Sequence, residues 1–273
     1  MHLYKRYHPQ ANREVAYEDL LAAAKTGDRI ILYQGEASDA HVPGLHGVLV
    51  QCGREIFWND NVKHPVFTGT CENFFPFGQT ALFAKSMNNL RNIFECNGTL
   101  HPLRAAVSKT DPFEVQEWRK TIYIRYGNEI VRITKSTEQV IVNEPFDAWS
   151  VNNLGCIVQC GTMLKIIGQQ KHFPGCLQKR GLMHWRTSKS CVFYTAETDG
   201  LWEWTGSNVL QKSTTSPTVW FVTQGGQIIT LEGKVFQTLD EKIVYDGPWD
   251  AWTEHPHGVL IERDGDLVLA VVK

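Results

Sequence analysis

The chain has 273 residues, 42% of them apolar and 21% charged, a balance that excludes a wholly disordered protein and leaves room for one large domain or two ordinary ones. A formal charge of −2 offers no excess of cations for neutralising a nucleic-acid backbone, so nucleic acid is not expected as the main ligand. No apolar run approaches the ~20 residues of a membrane-spanning helix, which excludes a helical membrane protein.

Chain order starts with Met1 to Pro9, which lacks the apolar stretch of a secretory signal. The seven cysteines are an odd number, scattered without close metal-ligand pairs. Together these point to an intracellular site, cytoplasmic or nuclear, with thiols acting as small buried hydrophobes. From Glu14 to Lys25, good helix formers carry Val15, Leu20, Leu21 and Ala24 near a 3.6-residue period, and Gly27 is placed to end that helix. Residues 1–28 are therefore expected as a short N-terminal helical segment, and 29–273 as the main domain.

Beyond Arg29, short β-branched and aromatic runs alternate with Gly, Asn, Asp and Pro turns. The clearest feature is a repeat. Asp39-Ala40 leads through Gly47-Val48-Leu49-Val50-Gln51-Cys52-Gly53 to Ile56. Pro145-Phe146-Asp147-Ala148-Trp149 leads likewise through Gly155 to Gly161 and Leu164. It returns 103 residues later as Pro248-Trp249-Asp250-Ala251-Trp252, Gly258 and Leu267. Asp39, Asp147 and Asp250 each precede their glycine (Gly47, Gly155, Gly258) by the same interval. An Asp that caps a turn backbone in each copy explains that spacing better than paired catalytic carboxylates. Trp149 and Trp252 share a register position that His41 occupies in the first copy, and both are expected in equivalent, largely buried places.

Looser hairpins fill the gaps: Ala81 to Leu90, Thr121 to Ile130, Cys191 to Leu201 and Thr218 to Ile228. Asn97-Gly98 reads as a hairpin turn in preference to a glycosylation sequon. Seven hairpins with second strands anchored 27–40 residues apart favour an all-β fold, a single β-propeller of seven blades, over a pair of sandwiches. Closing such a ring calls for residues 29–34 and 266–272 to share one blade or lie in adjacent ones.

The unit from Cys191 to Asn208, with its Asp199-Gly200 turn and Trp204-Thr205-Gly206-Ser207-Asn208 ending, resembles a blade of the regulator-of-chromosome-condensation family. Gly258 to Leu267, with Asp264-Gly265, repeats the pattern less fully. The resemblance implies a propeller used as a protein-binding platform and, as one alternative, guanine-nucleotide exchange through one rim. A second resemblance points elsewhere. Leu20 to Leu32 followed by His46-Gly47-Val48-Leu49-Val50 is similar to the opening of circularly permuted papain-like amidases and peptidases, implying Cys191 as nucleophile and His46 as base. That chemistry needs a helix after Cys191, whereas Val192-Phe193-Tyr194 reads as a strand.

Metal chemistry has little to build on. Cys156 and Cys160 face the same way on a strand but lie about 13 Å apart by strand rise. His255-Pro256-His257 has no matching ligands and reads as a solvated turn, and Gly225-Gly226-Gln227 as a hairpin turn. The resulting expectation is a non-enzymatic scaffold without cofactor, binding protein partners through one propeller rim. Exposed Trp and charged loops gathered on one face would mark such a scaffold, and sulfur touching imidazole in a cleft would mark the enzyme.

Overall fold

The computed structural model describes Ala22 and residues 29–34, 39–59, 65–77, 80–87, 90–96, 100–108, 113–134, 137–168, 182–196 and 200–272. Apart from Ala22, which is helical, the expected helix over 14–25 lies outside the described residues, as do the Asn97-Gly98 and Asp199 turn positions.

The first strand, β1 (Arg29–Tyr33), is followed by β2 (Ala40–Gly44), β3 (Gly47–Cys52), β4 (Glu55–Trp58) and β5 (Phe67–Thr68), which form one sheet in that order. Next come β6 (Asn73–Phe77), β7 (Thr80–Met87), β8 (Leu90–Cys96) and β9 (Leu100–Ser108), again in sequential order. A third sheet holds β10 (Phe113–Trp118), β11 (Thr121–Tyr126), β12 (Glu129–Ile133) and β13 (Glu138–Asn143). Among the described residues the fourth holds β14 (Ala148–Asn152), β15 (Gly155–Cys160) and β16 (Met163–Ile166). β17 (Leu182–Thr187), β18 (Val192–Ala196), β19 (Gly200–Trp204) and β20 (Val209–Ser213) make the fifth. β21 (Trp220–Val222), β22 (Ile228–Glu232), β23 (Val235–Thr238) and β24 (Ile243–Tyr245) make the sixth. The last three strands are β25 (Ala251–His255), β26 (Gly258–Arg263) and β27 (Asp266–Val271).

These antiparallel sheets build a β-propeller, the architecture expected from the repeat. Contacts divide the chain into two compact units, one made of residues 1–109, 233–237 and 242–273 and the other of 110–232 and 238–241.

Strand patterns follow from what covers each face. The second strands β3, β15 and β26 carry unbroken apolar runs because both of their faces are buried. β11 alternates instead, with Ile122, Ile124 and Tyr126 inside and Thr121, Tyr123 and Arg125 partly exposed. Within each unit the apolar clusters form between successive sheets. Leu49 and Ile56 of the β2–β5 sheet meet Phe74, Ala81 and Phe83 of the β6–β9 sheet. In the second unit, Ile130 and Val142 meet Trp149, Val151 and Val158, while Ile157, Leu164 and Ile166 meet Trp185, Tyr194 and Trp204.

The sheet that includes the last strands runs β1-β27-β26-β25 and unites both ends of the strand array. Arg29 pairs with Ala270, Ile30 with Leu269 and Ile31 with Val268, and a local irregularity precedes Tyr33 opposite Leu267. Leu32, Tyr33, Leu267, Leu269 and Val271 then bury against Val48, Val50 and Phe57 of the β2–β5 sheet.

β27 lies between β1 and β26 in its sheet, so its loss would strip both of a partner. Removing residues 267–273 is expected to abolish cooperative melting of the first unit, not merely fray one end. A truncated chain with an unchanged melting temperature, followed by circular dichroism, would contradict this closure.

Candidate functional site

The three Asp residues of the repeat have one shared geometry. Asp39, Asp147 and Asp250 each accept a hydrogen bond from a backbone N–H fourteen residues on: Gly53 (2.5 Å), Gly161 (2.6 Å) and Asp264 (2.9 Å). Their own N–H groups donate to Gln51, Gln159 and Glu262 carbonyls. All three acceptor turns place the bonded residue in the left-handed region, with φ of 59°, 60° and 52°. The carboxylates therefore close turns and have no catalytic geometry.

Gly47, Gly155 and Gly258 follow the first turn of each copy; at Gly47 and Gly258 a side chain does not fit, and at Gly155 a φ of 124° disfavours one. A Cβ on Gly47 would sit 2.0 Å from Asn59 Oδ1, and one on Gly258 would sit 2.0 Å from the Ala270 carbonyl. His41, Trp149 and Trp252 hold one register position, opposite Val50, Val158 and Ile261. Their burial is not the same. Trp149 is 5% exposed, and its indole N–H donates to Glu114 at 2.6 Å, whereas Trp252 is only half-buried, edge-on to Phe236.

The residue that ends the first strand of each copy is the one that sequence inspection missed. Asn152 and His255 are 103 residues apart and do the same two jobs. Asn152 Oδ1 accepts from the Leu154 N–H (2.8 Å), while its Nδ2 donates to the Ser188 and Cys191 carbonyls of the adjoining sheet (3.1 Å each). His255 Nδ1 accepts from the His257 N–H (3.1 Å), and its Nε2 meets the Gly47 carbonyl at 3.1 Å. Acceptance at Nδ1 leaves the proton on Nε2, so the neutral Nε2–H tautomer satisfies both contacts. In the first copy the position is Gly44. A Cβ there would lie 2.6 Å from Pro76 Cβ, so the adjoining sheet packs on the bare backbone.

His255 and His257 are thus not a solvated turn. His255 is 2% exposed, because the Leu45-His46-Gly47 turn folds over it. Three successive carbonyls of that turn receive side-chain nitrogens: Leu45 from His257 Nε2 (3.1 Å), His46 from Asn59 Nδ2 (3.2 Å) and Gly47 from His255. Burial lowers both imidazoles, and His255 is pushed down to about 3. With its ring nitrogens committed, His255 has no free pair for a metal or a substrate. Among the described residues no group of three or more metal-ligating side chains exists.

Cys191 and His46 belong to different sheets and different units. Cys191 is followed directly by strand β18, so the helix that would carry a papain-like nucleophile is replaced by a hairpin. Its surroundings are Ser188, Ser190 and Glu203. Burial first, then the hydrogen-bonded Glu203 carboxylate, raise the thiol above its usual value. This is the reverse of nucleophile activation. The His46 ring stands edge-on to Trp58, with centroids 6.3 Å apart. The expected marker of exposed Trp is also corrected. All nine Trp are buried or partly buried, and the N–H groups of Trp149 and Trp185 donate to Glu114 and Gln159 of the preceding sheet.

Two outcomes follow from this geometry. Trp149→Ala should cost about 3–5 kcal/mol in urea melts and Trp252→Ala distinctly less. The folded chain keeps His255 neutral down to about pH 3, whereas an unfolded histidine takes up its proton near 6.5. Stability is therefore complete above about pH 6.5 and falls as pH drops toward 3, by about 1.4 kcal/mol per pH unit from this one group. His255→Asn, which copies the residue at the Asn152 position, should keep the fold and flatten that slope.

No protein-family model matches the chain, and no curated protein matches it. Among solved structures, Hsv2 of Kluyveromyces lactis is similar over 86% of this chain and 90% of its own, with a TM-score of 0.50 and 9% identity. A form of KlHsv2 with loop 6CD replaced by a Gly-Ser linker gives 0.53 and 8%, over 86% of this chain and 89% of that one. At such identity the likeness establishes a shared fold, the β-propeller.

Proposed function

We propose that the chain is a non-enzymatic protein-interaction scaffold of the cell interior that meets its partners through one rim of the propeller. The supporting observation is that hairpin turns of neighbouring sheets in the second unit are hydrogen-bonded to one another. The Asn153 N–H donates to the Lys189 carbonyl (2.9 Å), and the Lys189 N–H donates to the Gln224 carbonyl (3.0 Å). Turns held this way form a pre-organised surface, which lowers the ordering cost of binding. The reactive side chains, in contrast, are engaged within the fold: the Asp residues in turns, His255 and His257 between sheets, and Cys191 beside a carboxylate. Cys52, Cys71, Cys156, Cys160 and Cys191 are free thiols, which suits a reducing compartment.

The test is capture with the full chain, identification of the co-purifying protein, and reconstitution from purified components by sedimentation. A stoichiometric complex that survives Cys191→Ser is expected. Failure to reconstitute any complex would overturn the scaffold reading. So would loss of cellular activity in Cys191→Ser at an unchanged melting temperature.

A further inference from the structure

The first hairpin turns of the second unit share a chemical character. They span residues 119–120, 153–154, 188–191 and 223–227, and contain Arg119, Lys120 and Lys189 but no Asp or Glu. All three cations are exposed, and among the described residues none forms an ion pair. Carboxylates near the same elements are already engaged, Glu203 with Lys212 at 3.3 Å and Asp240 with the Thr238 hydroxyl.

These turns are neighbours in space. Gln116 on β10 reaches across to β14, accepting from the Val151 N–H (3.0 Å) and donating to the Trp149 carbonyl (3.3 Å). The 119–120 turn begins three residues beyond Gln116 on β10, and the 153–154 turn two residues beyond Val151 on β14. Asn153, Lys189 and Gln224 then continue the line through backbone hydrogen bonds.

The 119–120 turn is built against local preference. Trp118 pairs with Thr121, so Arg119 and Lys120 are the whole loop, and both take positive φ, 52° and 62°. A two-residue turn of that kind favours Asn-Gly, and long side chains there carry a backbone cost. Folding does not call for Arg and Lys at this tip. What they do is present two cations at the end of a rigid hairpin.

We propose that this row of turns is the docking surface for an acidic peptide segment of a protein partner. The inference rests on the scaffold reading and adds the surface and the partner's chemistry. An extended acidic segment along the row would set its carboxylates against Arg119, Lys120 and Lys189, while the bonded backbone keeps the cations in register. Attraction between exposed charges of this kind weakens as salt shortens the screening length.

A fluorescein-labelled glutamate-rich peptide of about a dozen residues, titrated with the full chain and read by anisotropy, tests this. Binding at low salt that is lost at high salt is expected. Arg119→Asn/Lys120→Gly should weaken it about tenfold or more while raising the melting temperature, because the turn gains its favoured residues. Lys189→Ser should weaken binding with little change in melting. The proposal is overturned if the peptide does not bind, or if both variants bind it as the native chain does. Tighter binding of oligothymidylate or of phosphatidylserine vesicles at equal salt would also overturn it. A partner reconstituted as above that still binds both variants would remove this surface and leave the scaffold reading standing.

Discussion

At the end of the first strand of a sheet, one residue must close the turn into the second strand and also meet the neighbouring sheet. Both demands fall on buried backbone groups, and an unpaired buried donor or acceptor costs about 1–3 kcal/mol. The chain meets this constraint in three ways. Asn152 uses the two ends of its amide, His255 the two nitrogens of its ring, and Gly44 removes the side chain so that Pro76 can pack on the backbone. Each of these contacts ties the end of one first strand to the sheet beside it.

The rest of the packing is correspondingly local. Each apolar cluster joins one sheet to the next, so stability accumulates junction by junction instead of around one centre. Such an array leaves a problem at its ends, where a sheet face and an edge would be open to water. β1 joins the sheet that contains the last three strands, and that sheet packs on β3 and β4. His255 and His257 add polar contacts at the same junction, holding the 45–47 turn by its carbonyls. Because the neutral imidazole is the form that fits, this junction is tied to pH in a way that the Asn152 junction is not.

The same economy explains why residues that look reactive are engaged within the fold. Asp39, Asp147 and Asp250 accept backbone N–H groups in left-handed turns, an arrangement that needs a carboxylate but no chemistry. Cys191 marks the entry to a strand and shares its surroundings with an acid instead of an imidazole. Trp side chains are buried or partly buried, and those of Trp149 and Trp185 bond to the neighbouring sheet. The turns themselves have a backbone held by neighbours, as at Asn153, Lys189 and Gln224.

By itself the sequence determined the all-β repeat and its register. The spacing of Asp147, Gly155 and Leu164, returning as Asp250, Gly258 and Leu267, reflects strand geometry and turn sterics, which act over a few residues and leave a local trace. The joining of 29–34 to 266–272 was legible too, since an apolar strand at each end of a repeat array has few other partners. The burial of His255-Pro256-His257 was not, because whether a turn is solvated depends on the sheet that arrives beside it from 208 positions away. Equal repeat positions likewise did not make Trp149 and Trp252 equally buried, since the environment differs from sheet to sheet. Asn152 and His255 share a repeat position, yet their common role emerges only once a neighbouring carbonyl stands within hydrogen-bond reach. Local chemistry specified the strands and turns, and only the tertiary contacts between sheets decided which polar residues were drawn inside and which cations were left facing water.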